Sequence, residues 1–439
     1  MNANGTGVFA QGKKASAAFK AFHALRYRDF RLLWIGLAVS AVGTWMQIVA
    51  LSLLVLKITH GSALALGTVS LAQALSFFLF ALVGGSVADR IDKRRLLLFT
   101  QSMSAGFAIL LGVLAWAGLI QFWMIVVISF LNGTVLSFDQ PARGALVPAL
   151  VPKEDLMNAI SLQSTIFNGA AAIGPALAGF GVGLLGYAGN FFLNGASFIG
   201  VLIALYVMRA PALPAHRQSA LKAIRESLAT VRRDKVLPWV LAGYGALLCL
   251  GPSPALILPV YADKVLHIGP ERLGLLFSSV GLGSILGALI VASLGSGARK
   301  GYIYLIGILI WVGALTSFAL SGWLWLSMAA LLVLGIGQAF AATTTITLLQ
   351  TRVPEQMRGR VMSLNTLLMM GIRPVGDFPA GALISVIGAP VTVLLSAGIV
   401  GTYGVVVGVF AGFGPGHLGS DGSQDDRCGL LHDFQALLK

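Results

Sequence analysis

Two side chains of opposite charge stand four residues apart in an otherwise apolar stretch: Arg373 and Asp377, within MGIRPVGDFPAGALI. On a helix, positions i and i+4 share a face, so the two can pair. Charge inside an apolar span is costly and marks a substrate charge or a proton pathway. The other reading is a permanently satisfied pair that stabilises a bundle. Asp377 is the only carboxylate deep in an apolar run, so a proton-carrying role would fall on it. A second pair at the same spacing, Asp139 and Arg143, brackets Pro141, which is expected to end or bend its helix. It reads equally as a surface ion pair of little worth or as part of a gate. A third acid, Asp89, precedes Arg90 and opens a basic run through Lys93, Arg94 and Arg95. A carboxylate there can meet a neighbouring Arg or a helix N-terminus.

Other chemistries find no support. His60 and His267 fall in connections and the remaining His in tails or the central loop, so a His relay is not expected. Cys249 and Cys428 lack a partner or metal spacing. Gly7 to Lys13 imitates a phosphate-binding loop, but Lys14 replaces the Ser/Thr and no strand precedes it. Gly281, Gly283 and Gly287 lie inside an apolar run and read as helix packing. Neither an enzyme nor an ATP-driven pump is expected, and no cofactor or metal.

The elements that must carry these charges are apolar. Of 439 residues, 57% are hydrophobic and only 10% charged, yet net charge is +14. Mean hydropathy is +0.86. A soluble domain carries about 25% charged residues, so the chain reads as an integral membrane protein and not as a nucleic-acid binder. Runs of roughly 20 residues fall near 32–56, 65–88, 96–118, 122–139, 157–184 and 190–208, then 237–260, 273–294, 301–321, 323–349, 361–386 and 389–412. They are too long and too continuous for barrel strands. The expected fold is all-α, with twelve transmembrane helices.

With the N-terminus inside, the inner connections and tails hold 26 of the 30 Lys and Arg, and the outer loops hold only Lys57, Lys264 and Arg272. That asymmetry predicts cytoplasmic termini. The expected organisation is a cytoplasmic segment 1–29, a six-helix bundle 30–208, a linker 209–236, a second bundle 237–412 and a mostly disordered tail 413–439. Within the linker, residues 219–233 have helical periodicity and read as a surface helix resting on anionic lipid.

A shift of 202 residues superposes Val151-Pro152 on Val353-Pro354, Ser161-Leu162 on Ser363-Leu364, Gly169 on Gly371, Gly174 on Gly376 and Ala178-Gly179 on Ala380-Gly381. Span five then corresponds to span eleven. Two parallel six-span halves around a midplane site are a transporter plan.

These features come together in a known pattern. GSVADRIDKRR, Gly85 to Arg95, resembles the inter-helix signature G-x-x-x-D-R-x-G-R-R of the major facilitator superfamily, with Asp92 in place of the second glycine. FRLLWIG from Phe30, FDQPARGALVPALVPKEDLMNAISL from Phe138 and VPEQMRGRVMSL from Val353 resemble the branch that holds enterobactin exporters and macrolide efflux proteins. Ala170 to Gly179 is similar to the superfamily's antiporter signature g-x-x-x-G-P-x-x-G-G, with Gly174, Pro175 and Gly179 kept. The resemblance implies two six-helix bundles rocking about a central site, with no cofactor. It implies a cytoplasmic gate of Gly85, Asp89, Arg90 and Arg94, with Asp139 and Arg143 beside it. Spans one, four, seven and ten would line the cavity, and Gln47, Asn132, Asn168 and Thr344 are its polar candidates. The expected activity is export of amphipathic small molecules, drugs or siderophores, from a monomer in the bacterial inner membrane, driven by protons or another cation. An importer or lipid transporter on the same fold, or a membrane sensor that transports nothing, are the alternatives. Ser129 and Asn132-Gly133 replace the Arg and Gln-Gly that many such exporters carry in span four, a departure from the usual coupling chemistry.

Overall fold

The computed structural model describes residues 22–410 except 209–219, 235, 252, 295–299, 355–356, 358–360, 363–364 and 366–367. The terminal segments 1–21 and 411–439, including the expected disordered tail, lie outside the described residues, as does the Asp89 side chain.

Every regular element among the described residues is helical. The first half holds α1 (Arg28–Ile58), α2 (Ala63–Arg90), α3 (Lys93–Trp116), α4 (Phe122–Ala149) and α5 (Leu156–Val207). The linker helix is α6 (Ala220–Arg233). The second half holds α7 (Leu237–Leu250), α8 (Pro254–Lys264), α9 (Pro270–Ser293), α10 (Lys300–Ala319), α11 (Leu324–Arg352), α12 (Arg373–Ile387) and α13 (Ala389–Phe410). Among the described residues, ten helical stretches are long and apolar enough to cross a membrane, and Val375–Ile387 is a shorter apolar one. Helices suit lipid because each satisfies its own backbone.

Three local features depart from the sequence expectation. Expected spans five and six form one helix, α5, broken at Gly186 with φ 68°. Glycine accepts this left-handed conformation without a Cβ clash, so the direction changes with no loop. Expected span seven is instead two pieces, α7 and α8, interrupted at Gly251 to Ser253. Helix α4 does not stop at Pro141; it runs through Pro141 and Pro148 to Ala149. Burial of Ala142, Leu146 and Val147 outweighs the hydrogen bonds that the prolines remove.

Within the first half, α1 and α3 pack on α5, and α2 on α4; within the second, α9 and α10 pack on α11, and α10 on α13. The halves meet along two seams, α5 against α9 and α2 against α12. Small residues let the backbones approach there. A Cβ on Gly274 would lie 2.5 Å from the Pro175 carbonyl oxygen, and one on Gly67 would lie 2.8 Å from that of Asp377.

The 202-residue shift holds in space. Gly174 abuts α1 at Trp45, while Gly376 abuts α7 at Cys249. Gly179 meets the start of α9 at Pro270, while Gly381 meets the start of α2 at Ala63. Gly388, 202 positions after Gly186, is also left-handed at φ 85° and turns α12 directly into α13.

One apolar cluster runs through the second half and takes in the first half at the face opposite the N-terminal entry. It joins Leu54, Val55 and Leu66 to Leu256, Val260 and Leu273. At the entry face the first half has its own cluster, including Phe30, Leu97, Leu146 and Leu205, to which no described residue of the second half belongs. The halves are closed together on one face and have separate cores on the other.

Candidate functional site

A π-helical turn, Leu368–Ile372, leads into α12 and ends at Arg373. Such turns are frequent at functional sites. One turn on, Asp377 is 3% exposed. Its Oδ1 accepts from the Ser253 N–H at 2.9 Å and its Oδ2 from the Ser253 hydroxyl at 2.8 Å. Ser253 is the N-cap of α8, and its Oγ also accepts from the Leu256 N–H at 3.3 Å. A helix N-terminus carries partial positive charge and unsatisfied N–H groups. Asp377 therefore supplies a carboxylate to the broken end of span seven. Across the seam, Ser70 of α2 lies beside the same carboxylate.

Arg373 and Asp377, which share a face and could pair, do not do so: no ion pair within 4.0 Å joins them among the described residues, against the reading of a permanently satisfied pair. The carboxylate is taken by donors at the helix break. The guanidinium instead borders a cavity of about 20 Å³ inside the second half, with Gln338, Trp311 and Pro254, and its buried Nε has no hydrogen-bond partner. That volume is on the scale of one water.

Asp139 is corrected in a different sense. It is 1% exposed, so it is no surface ion pair. Its Oδ1 accepts from Thr100 Oγ1 at 2.9 Å and Gln101 Nε2 at 2.6 Å, and its Oδ2 from Arg143 Nη2 at 2.5 Å. All of these lie on α3 and α4, so the network closes within the first half.

The remaining gate candidates separate likewise. Gly85 faces open space and Arg90 is exposed. Arg94 donates through Nε to the Leu205 carbonyl and through Nη2 to that of Tyr206, each at 2.5 Å. It thus caps the carbonyl end of α5 within its own half and does not bridge to the second. Asp92, in the place of the signature's glycine, accepts from the Arg95 N–H at 2.9 Å and caps α3. Arg358 and Arg360, just before expected span eleven, lie outside the described residues.

Gly174, Pro175 and Gly179 of the antiporter-like motif are buried at the crossings with α1 and α9 described above. Among the cavity candidates, Gln47 Oε1 accepts from Asn194 Nδ2 at 2.7 Å, an engagement within the first half. Asn132 is half-buried and Asn168 exposed. Thr344 is 2% exposed with an unpartnered hydroxyl.

Sequence reasoning missed Ser253 and Ser70. The signal for Ser253 was present: GPSP interrupts an apolar span, and Ser before Pro reads as an N-cap followed by the first helical residue. It also missed that two branch-like stretches fit together. Trp34 Nε1–H donates to the Leu162 carbonyl at 3.0 Å, and the Ala24 N–H to Asn158 Oδ1 at 2.9 Å. His23 Nδ1 meets Asp155 Oδ1 at 2.9 Å, and the Tyr27 hydroxyl donates to Asp155 Oδ2 at 2.7 Å. Arg26 Nη1 lies 2.8 Å from His23 Nε2, so the ring is held between Arg26 and Asp155. The His23 hydrogen bond, then that of Tyr27, holds the Asp155 carboxyl below its ordinary range.

Known proteins share this architecture. The profile of the transmembrane secretion effector family matches residues 19–413. An enterobactin exporter of Citrobacter koseri is 27% identical over 388 residues, covering 87% of this chain and 90% of its own. One from Shigella boydii is 28% identical over 386 residues with the same coverage. Among solved structures, a POT family transporter in complex with 5-aminolevulinic acid aligns with TM-score 0.73 at 13% identity, covering 88% of this chain and 96% of the other. A bacterial homologue of the lysosomal transporter Spinster, inward-facing and unoccupied, gives 0.69 at 14% identity with the same coverage.

Proposed function

Because the chain belongs to the transmembrane secretion effector family of the major facilitator superfamily, we propose that this secondary transporter exports amphipathic, siderophore-like small molecules from a bacterial cell by alternating access. The relatives named as enterobactin exporters support that substrate class. The observation that carries the access mechanism is the unequal closure of the two faces: the cluster that runs through the second half takes in the first half only at the face opposite the N-terminal entry, and at the entry face the first half has a core of its own. With 26 of 30 Lys and Arg on the N-terminal face, that face is cytoplasmic, and the arrangement is open inward. Counting α5 as two crossings, α7 with α8 as one, and the π turn with α12 as one gives twelve.

The protein acts as a monomer in the inner membrane with both termini in the cytoplasm, and an inward cation gradient, taken as protons, drives export. Asp377 is the coupling carboxylate because it is buried at the seam between halves, held by two hydrogen bonds from Ser253 of α8, with Ser70 of α2 beside it. Asp89 and Arg90 form the inner gate with the start of span eleven. In proteoliposomes loaded with enterobactin or a fluorescent amphipathic dye, a pH gradient should drive transport that a protonophore abolishes. Transport indifferent to the protonophore would reject the proton, and accumulation in place of extrusion would make the protein an importer.

A further inference from the structure

The break in span seven has a partner on each side. Asp377 of α12 holds its Ser253 end, and α8, which begins there, packs on α1 and α2 of the other half. Gly61, in the connection from α1 to α2, lies beside the far end of α8: a Cβ there would be 3.2 Å from Lys264 Cε. Helix α8 thus adds to the two seams at the outer face, and its inner end is fastened to an ionisable group.

We propose that Ser253, assisted by Ser70, is a positioning residue that ties the protonation of Asp377 to closure of the outer seam. The inference rests on the coupling role proposed for Asp377 and adds the device that makes coupling directional.

The carboxylate accepts two hydrogen bonds from Ser253, both from the N-cap of a half-helix. Donors and a helix N-terminus aimed at a carboxylate favour its charged form. A neutral acid keeps one oxygen as a hydroxyl donor and cannot accept equally at both. By linkage, the two Ser253 bonds and the charged form of Asp377 support one another, so the link works through those bonds for as long as the seam is closed. Once α8 swings away from α1 and α2, Ser253 no longer delivers both bonds and the acid takes up a proton more readily. Proton capture from the outer side and release after outer closure is the order that an exporter driven by proton entry requires.

The other ionisable groups around Asp377 do not replace this link. On its own helix Arg373 supplies a permanent charge, and α7 presents Cys249 near Asp377 and Tyr244 near Arg373. The described part of α2 beside it offers the neutral Ser70. On α13, the Tyr403 hydroxyl is spent on the Trp239 carbonyl. The π turn carries no ionisable residue.

The test reads outer closure directly, without substrate. Cysteines at Leu119 and Leu320, both exposed and in outer connections of opposite halves, carry spin labels on the full chain in nanodiscs, with Cys249→Ala and Cys428→Ala. The shorter-distance population should grow as pH rises. Ser253→Ala should move that midpoint upward by about one pH unit, the worth of one hydrogen bond to a charged group. Ser253→Thr should restore it, Ser70→Ala should shift it less, and Asp377→Asn should abolish the pH response. Coincident wild-type and Ser253→Ala titrations, or failure of Thr to rescue, would overturn the inference. Protonophore-sensitive export, assayed on the same proteins, separates the outcomes. A normal titration with gradient-independent export rejects the coupling reading alone, while coupled export with a flat titration rejects the Ser253 link alone.

Discussion

Asp139 and Asp377 are both almost wholly buried aspartates with an arginine four positions away, and the two sites solve the problem of a buried charge in opposite ways. Asp139 takes its own arginine, then Thr100 and Gln101, and every partner belongs to one rigid half. Asp377 leaves its arginine aside and takes the N-terminus of a half-helix, with Ser70 of the opposite half beside it. A carboxylate whose partners move with it is part of a scaffold. A carboxylate whose partners sit on separate bodies senses their separation.

The largest effect should come from the scaffold. Arg143→Ala leaves Asp139 buried without its counter-charge, a change worth about 3–5 kcal/mol. Thermal unfolding in detergent should fall steeply, and a stability equal to wild type would place Asp139 among the moving parts. Asp377→Asn should do the reverse: gradient-driven export is lost while the melting temperature changes by less than about 1 kcal/mol equivalent, because the amide keeps an acceptor for Ser253. Normal pH-dependent export by that mutant would end its coupling role. Arg94→Ala removes two carbonyl caps and should cost about 1–2 kcal/mol, measured by the same unfolding assay, with coupling intact. The smallest effect belongs to the N-terminal clasp. Its Asp155 carboxyl is held low by His23 and Tyr27, so its contribution is present above the ordinary carboxylate range and fades as pH falls through the lowered value. Proteolysis of the N-terminal arm should therefore speed up in acid, and Asp155→Asn should make that rate independent of pH.

The sequence made the apolar spans, the charge asymmetry and the repeat legible because each is a property of many residues at once. Gly174 and Gly376 could be aligned by counting, and both proved to be helix crossings. Partner choice was not legible. The i,i+4 rule paired Arg373 with Asp377, but a competing donor set 124 residues away in sequence took the carboxylate. The same rule succeeded at Asp139, where no helix break competes, yet gave no hint of the burial that decides its worth. Arg94, assigned to a gate by its motif, is spent on the end of α5, a contact 111 residues distant that local pattern does not encode.

Gly186 and Gly388 turn one helix into the next within a single residue. A joint of one residue stores no slack. When the first arm of α5 tilts, the second arm must follow as a crank follows its shaft, and α12 drives α13 in the same manner. Each half thus owns one stiff bell-crank, pivoted at its outer end. Lengthening either pivot with a flexible insert should decouple the arms, leaving a chain that still inserts and packs but turns over slowly.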